Sequence, residues 1–235
     1  MKSAFISLSL LLAAASCTAA ETAPAAEATK APAVELFNGK DLSGWTVKGV
    51  NGKATFEVKD GVIVGTSAKG GGNTFLCPDK TYKNFELEVE VKLEETDKSY
   101  MNSGVIVRGL IKPEGGKDAG RVTGWQCEVD PSERAWTGGI YDEAGRGWLQ
   151  PMKPTEKGAK LPEFAAGKSY KKSDWNQLRI VCEGKHVRTW VNGVAGADLT
   201  DEGARLEGII GLQVHAGPEG KRYLFRNVKI RELAQ

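Results

Sequence analysis

Two strand-like runs bring together side chains that could bind hydroxyls and move protons. In GWQCEVD, residues 124–130, Gln126, Glu128 and Asp130 share one parity, and Trp125, Cys127 and Val129 share the other. In GLQVHAG, residues 211–217, Gln213 and His215 lie on one side of the alternation, with Leu212 and Val214 on the other. Successive side chains of a strand point to opposite faces, so each run predicts an apolar face turned to a core and a polar face turned outward. The run SGVIVRG, residues 103–109, puts Arg108 on the parity of Gly104 and Ile106. If these strands are neighbours, Arg108, Gln126, Glu128, Asp130, Gln213 and His215 share one concave face. Carboxylates, amides, a cation and an imidazole so grouped are equipped for general acid–base chemistry on a polyhydroxylated ligand. Taken singly, each has a plainer reading as a solvated strand residue. A lone histidine is more often a hydrogen-bonded structural residue, as His186, just after a hairpin turn in GKHVRT, illustrates.

The elements that must position this face are strands. From Val34 onward the chain shows short alternating segments separated by Gly, Asn, Asp and Pro, with almost no sustained helical period. Asp60-Gly61, Glu183-Gly184-Lys185 and Asn192-Gly193 have the chemistry of tight turns. The pattern predicts an all-β domain, with spacings typical of sandwiches and barrels. Residues 110–120 and 131–173 read as long loops, and the second carries Trp136, Tyr141, Trp148 and Phe164. That many large aromatics predicts a packed lid or rim, with Trp136, Tyr141 and Trp148 available to stack on sugar rings and Arg146 beside them.

The 235 residues, 40% hydrophobic and 26% charged, suffice for one sizeable core. A balance of 32 basic against 30 acidic residues, with the basic ones scattered, argues against a nucleic-acid partner. The N-terminus, MKSAFISLSLLLAAASC, has one lysine before an apolar stretch too short to span a membrane, and reads as an export signal. Its end, Ala14-Ala15-Ser16-Cys17, resembles a bacterial lipobox, which predicts lipidation at Cys17. A plain cleavage site is the alternative. The Ala/Pro/Glu/Thr tract over 18–33 then predicts a disordered tether, and 34–235 the domain. The expected location is periplasmic or cell-surface, with membrane contact only through the anchor. Cys77, Cys127 and Cys182 are odd in number, so at least one is unpaired within the chain, and their spacing matches no zinc site.

Several motifs in order resemble one family: ELFNGKDLSGW (35–45), VKDGVIVG (58–65), NSGVIVRG, GWQCEVDPSERAWTGGIYDEAGRGWL, DWNQLRIVCEGKHVRTWVNG, and GIIGLQVHAG followed by FRNVKIREL. They resemble the DUF1080 family, known as 3-keto-disaccharide hydrolases or 3-keto-glucoside 1,2-lyase/hydratases, over about residues 34–233. The resemblance implies a concanavalin A-like lectin/glucanase jelly roll and action on 3-keto-glycosides made by a separate glycoside 3-dehydrogenase. A C3 carbonyl acidifies the C2 proton, so a base can remove it and the C1 substituent can leave, after which water can add. The residues this chemistry calls for are His215 or Glu128 as base, Arg108 or a metal ion at the enolate, and Asp130 or Tyr141 near the leaving group. Glu128, Asp130 and His215 are also a conceivable divalent-metal set, against ordinary hydrogen bonding to sugar hydroxyls. Two other readings compete. Glu128, Asp130 and Glu133 match the E-x-D-x-x-E spacing of laminarinase-type hydrolases, although Pro131 interrupts the strand between them. A non-catalytic carbohydrate-binding module is the third, since fold does not decide function.

Overall fold

The computed structural model describes residues 31–94, 101–116, 118–153, 155–156 and 159–234. The leader, Cys17 and residues 18–30 of the tether lie outside the described residues. Among the described residues the alternating segments form fifteen strands in two antiparallel sheets, with one short helix, α1 (Ala165–Lys168). The first sheet runs β13 (Val194–Thr200), β12 (His186–Val191), β11 (Asn176–Glu183), β6 (Phe85–Leu93), β15 (Arg222–Glu232), β4 (Val62–Thr66), β3 (Thr55–Lys59), and β1 (Val34–Glu35) also pairs with β15. The second runs β10 (Gly147–Gln150), β9 (Ile140–Glu143), β8 (Val122–Val129), β7 (Ser103–Ile111), β14 (Ile209–Val214), β5 (Thr74–Pro78), β2 (Trp45–Lys48). This is a β-sandwich of jelly-roll type. Among the described residues no helix is long and apolar enough to cross a membrane.

The core lies between the sheets and follows the parity of the sequence. Leu87, Val89, Val91 and Leu93 of β6 and Leu178, Ile180 and Cys182 of β11 meet Val105, Val107, Trp125, Cys127, Val129, Leu212 and Val214 of the second sheet. Burying each such side chain stabilises the fold by roughly 1.5–3 kcal/mol before the entropy of ordering it is subtracted. Three turns supply the positive φ that tight hairpins need: Asp60 and Gly61 at 51° and 76°, Asn192 and Gly193 at 50° and 82°, and Gly184 at 53°. Cys77, Cys127 and Cys182 are all buried free thiols, and burial raises the pKa of each.

Two expectations need correction. The stretch 131–173 is not one long loop, because β9 and β10 form a hairpin that extends the second sheet and α1 follows it. Arg108 does not share the polar face either. The β7–β8 register shifts between Val107 and Leu110, and Arg108 sits at the bulge with φ 49°. A bulge breaks the period of two and re-aims the side chain. Arg108 Nε donates to Lys83 O at 2.8 Å and Nη2 to Asn84 Oδ1 at 3.0 Å, while Nη1 reaches the carbonyls of Gly184 and Arg205. It thus ties the second sheet to the strand ends of the first.

Candidate active site

The outer face of the second sheet is organised around a missing side chain. Gly104 of β7 lies opposite Glu128 of β8, and Val105 opposite Leu212 of β14, so Gly104 separates Glu128 from Gln213 in one cross-strand row. A Cβ on Gly104 would fall 2.5 Å from Gln126 Cγ. The glycine therefore leaves the space in which the Gln126 amide lies across the sheet. From there Gln126 Nε2 donates to Glu128 Oε1 at 2.7 Å and to Gln213 Oε1 at 3.4 Å. Asn102 Nδ2 donates to the other carboxyl oxygen, Glu128 Oε2, at 3.0 Å. Gln126 Oε1 and Gln213 Nε2 have no protein partner, although both residues are 1% exposed. An acceptor and a donor left over on two linked amides are what ligand hydroxyls can satisfy.

Above this floor is a cavity of about 640 Å³ lined by Gln126, Glu128, Gln213 and His215, with Tyr141 and Trp148 on the β9–β10 side. Asn73, Asn102, Arg121, Arg134, Glu143 and Lys153 add further polar groups to the lining. The sheet is strongly curved here. Asn73 Nδ2, just before β5, donates to Glu143 Oε1 of β9 at 3.2 Å. Four inter-strand steps separate β9 from β5, about 19 Å on a flat sheet, so the bond requires the edges to curl towards each other over the face.

Burial displaces the titrating groups in opposite senses. Desolvation pushes the Glu128 carboxyl up to about 8, against the Asn102 and Gln126 hydrogen bonds and with help from the nearby Asp130 and Glu143 charges. Burial likewise raises the Glu143 carboxyl and the Tyr141 phenol. It lowers the His215 imidazole below its ordinary value of 6.5, partly offset by a backbone bond involving Ala216. At neutral pH the carboxyl of Glu128 is therefore mostly protonated, the reverse of its usual state, and the imidazole of His215 is held neutral more firmly than an exposed one.

Asp130 is fully buried but turned to a supporting task. Its Oδ2 accepts from Arg134 Nε at 2.7 Å, and its backbone N–H donates to Thr137 Oγ1 at 2.9 Å. The Arg134 guanidinium lies 5.0 Å from the Trp136 ring and 4.8 Å from the Trp148 ring. A carboxylate and two indole faces thus fix a cation at the cavity wall, in the place where the sequence had suggested Arg108. Trp136 is fully buried, donates its indole N–H to Pro162 O at 3.1 Å and packs edge-on against Trp148, so it supports the wall and presents no stacking surface. Arg146 lies elsewhere: it pairs with Asp142 at 2.7 Å and Asp201 at 2.5 Å, and with Arg108 lines a separate cavity of about 590 Å³ beside Val107 and Trp125. Glu133 is exposed and outside the polar cavity, since the chain turns away after Pro131. His186 forms an exposed pair with Asp198, 2.5 Å apart.

Among the described residues no group of three or more His, Cys, Asp or Glu side chains is arranged to hold a metal. Asp130, one of the three suggested ligands, is occupied by Arg134. Of the residues the sequence did not single out, Asn102 was reachable, because it shares the parity of Gly104 in NSGVIVRG. Arg121, Arg134 and Asn73 lie in turns or strand flanks where no period points to them.

The fold is similar to that of a Parabacteroides distasonis protein assigned as a glycosyl hydrolase, at 21% identity over 86% of this chain and 94% of that one, TM-score 0.56. It is similar to a Bacillus subtilis protein of unknown function with a galectin-like fold, at 12% identity over 86% and 94%, TM-score 0.57. It also resembles the carbohydrate binding module CBM66 from Bacillus subtilis, at 19% identity over 80% and 96%, TM-score 0.50. At these identities the likeness is one of fold. No curated protein matches the sequence. Residues 32–231, nearly all of the domain built above, match the 3-keto-alpha-glucoside-1,2-lyase-like domain, and the chain belongs to that family.

Proposed function

We propose that this protein cleaves 3-keto-glycosides by removing the C2 proton and expelling the C1 substituent, with water adding to the product where net hydrolysis results. Its family, and the fold it shares with a carbohydrate binding module, make it a carbohydrate-active protein. The observation that carries the finer reading is the opposite displacement of His215 and Glu128 within one polar cavity. Two groups pushed apart in this way are poised for distinct acid and base roles near neutral pH.

In this reading neutral His215 takes the C2 proton. The electron pair moves to the C3 oxygen, where the protonated carboxyl of Glu128 and the fixed guanidinium of Arg134 stabilise the enolate. As the enolate collapses, the C1–O bond breaks, a C1=C2 double bond forms, and the leaving oxygen takes a proton from Glu143, whose carboxyl burial also raises. Gln126, Gln213 and Asn102 hold hydroxyls and Glu128, Tyr141 and Trp148 form the rim, and Asp130 acts through Arg134. A separate glycoside 3-dehydrogenase supplies the oxidised sugar. The leader places the domain outside the cytoplasm on a lipid at Cys17; Cys17→Ser in the full chain then moves it from the membrane to the soluble fraction, and an unchanged membrane fraction contradicts the anchor.

The test is release of the aglycone from a 3-keto-glucoside and from its unoxidised parent. Release from the keto sugar alone is expected. Release from the parent instead moves an ordinary glycosidase to first place, and tight sugar binding with no release from either favours a binding module.

A further inference from the structure

The polar cavity does not occupy the whole concave face. Across the bridge formed by Asn73 and Glu143 lies a smaller chamber of about 240 Å³, and Asn73, Arg121 and Glu143 line both spaces. The two differ in chemistry. The larger is lined almost throughout by amides, carboxyls, cations and an imidazole, whereas the smaller adds Phe75, Val122 and Val50. Phe75 and Val122 belong to an apolar cluster with Cys77 and Ile106, outside the main core. Asp118, held by Lys112 at 3.2 Å and by Arg121 at 3.5 Å, also lines the chamber, and the rest of its wall is backbone: a Cβ on Gly49 would fall 2.4 Å from Asn73 O, and one on Gly72 2.5 Å from Val50 O. Those glycines let two loops close against each other without projecting a side chain into the space.

We propose that this smaller chamber is the aglycone subsite and that it selects a single compact apolar ring over a second sugar. The inference rests on the elimination reading above. A glycosyl ring with its hydroxyls matches the polar cavity, and the only part of the substrate that then crosses the shared wall is the group on C1. The scissile oxygen lies at that wall, beside Glu143, which places the proton donor where the leaving group needs it. A space this small holds one ring, below the range usual for larger ligands. Its apolar floor rewards burial of a hydrocarbon surface, and its polar side chains already pair with protein groups, Asn73 with Glu143 and Asp118 with Lys112 and Arg121, which leaves a sugar's hydroxyls few partners.

The test compares methyl and benzyl 3-keto-glucosides, whose alcohols have similar acidity, in wild type and Val50→Asp. Val50 is 43% exposed at the chamber rim, so the substitution spares the core. The expected result is kcat/KM about tenfold higher for benzyl than for methyl in the wild type, with Val50→Asp erasing most of that preference and leaving methyl turnover within about twofold. Equal rates for the two glycosides, or an equal loss on both in the variant, overturns the subsite while leaving the elimination reading intact. If neither glycoside turns over, the elimination reading fails, and the chamber is judged by benzyl alcohol alone. Shifts of the Val50 and Val122 methyl resonances then support it, and their absence overturns it.

Discussion

The outer faces of the two sheets use the same residue types to opposite ends. On the first sheet the carboxylates of Glu86, Glu90 and Glu94 each meet a cation. Glu90 pairs with Arg226 at 2.6 Å, Glu94 with Arg222 at 2.9 Å, and buried Glu86 lies between Arg179 and Arg231. Arg226 and Arg179 also stack on Trp175 and Trp190, 4.0 and 4.2 Å from the ring centroids. Burial alone would raise the Glu90 carboxyl, but Asn227 and Arg226 outweigh it and hold it low. On the second sheet Glu128 is buried with amides as its hydrogen-bond partners, and Arg134 is engaged by Asp130. Its carboxyl rises instead. The difference teaches that charge composition does not distinguish a functional face; the pairing does. Satisfied ion pairs on an accessible face contribute little beyond solubility, and buried groups denied a counter-ion acquire protonation states suited to chemistry.

The comparison breaks most visibly at His215. His215→Ala is expected to lower kcat on a 3-keto-glucoside by about 10²–10⁴-fold, the usual contribution of a positioned base. Arg134→Ala removes the fixed cation and is expected to cost about 10²-fold in kcat. Asp130→Asn keeps the bulk but loosens Arg134, and should cost less. The pH profile sharpens the contrast. Activity should rise as His215 loses its proton below pH 6.5 and fall as Glu128 ionises near pH 8, with Glu128→Gln abolishing the alkaline limb because its amide stays neutral.

Glu128 also links stability to pH. Its folded pKa lies above the unfolded one, so its contribution to stability is fully present below about pH 4.5 and is lost as pH rises towards 8. The loss has an upper bound of about 5 kcal/mol, and denaturant melts of wild type and Glu128→Gln across that window read it. Gly104→Ala should displace the Gln126 amide, lowering kcat/KM about tenfold and stability by about 1–3 kcal/mol. At the small end, Arg226→Ala on the first sheet should leave turnover unchanged and shift stability by less than about 1 kcal/mol, weakening further in high salt.

How much of this was legible in the sequence depended on unbroken periodicity. Trp125, Cys127, Val129, Leu212 and Val214 face the core as their alternation demands, and Asp60-Gly61 and Asn192-Gly193 turn where their chemistry directs. The same alternation brings Gln126, Glu128, Gln213 and His215 to one cavity. It failed at Arg108, where one extra residue at a bulge reverses the inference; the in-strand glycines Gly109 and Gly124, which meet at that bulge, are its local sign. Trp136 was misread because an aromatic in a loop gives no sign of which way it packs. The Asn73–Glu143 bridge depends on sheet curvature, a property of seven strands together that no single segment encodes.

The central claim is that bond cleavage begins with loss of the C2 proton to a group on the second sheet's outer face. A 3-keto-glucoside deuterated at C2, followed for both aglycone release and deuterium content, tests it most directly. The account predicts slower release than from the protiated sugar, deuterium lost to solvent as the aglycone departs, and both effects vanishing with turnover in His215→Ala. Release at an unchanged rate with deuterium retained at C2 would contradict it.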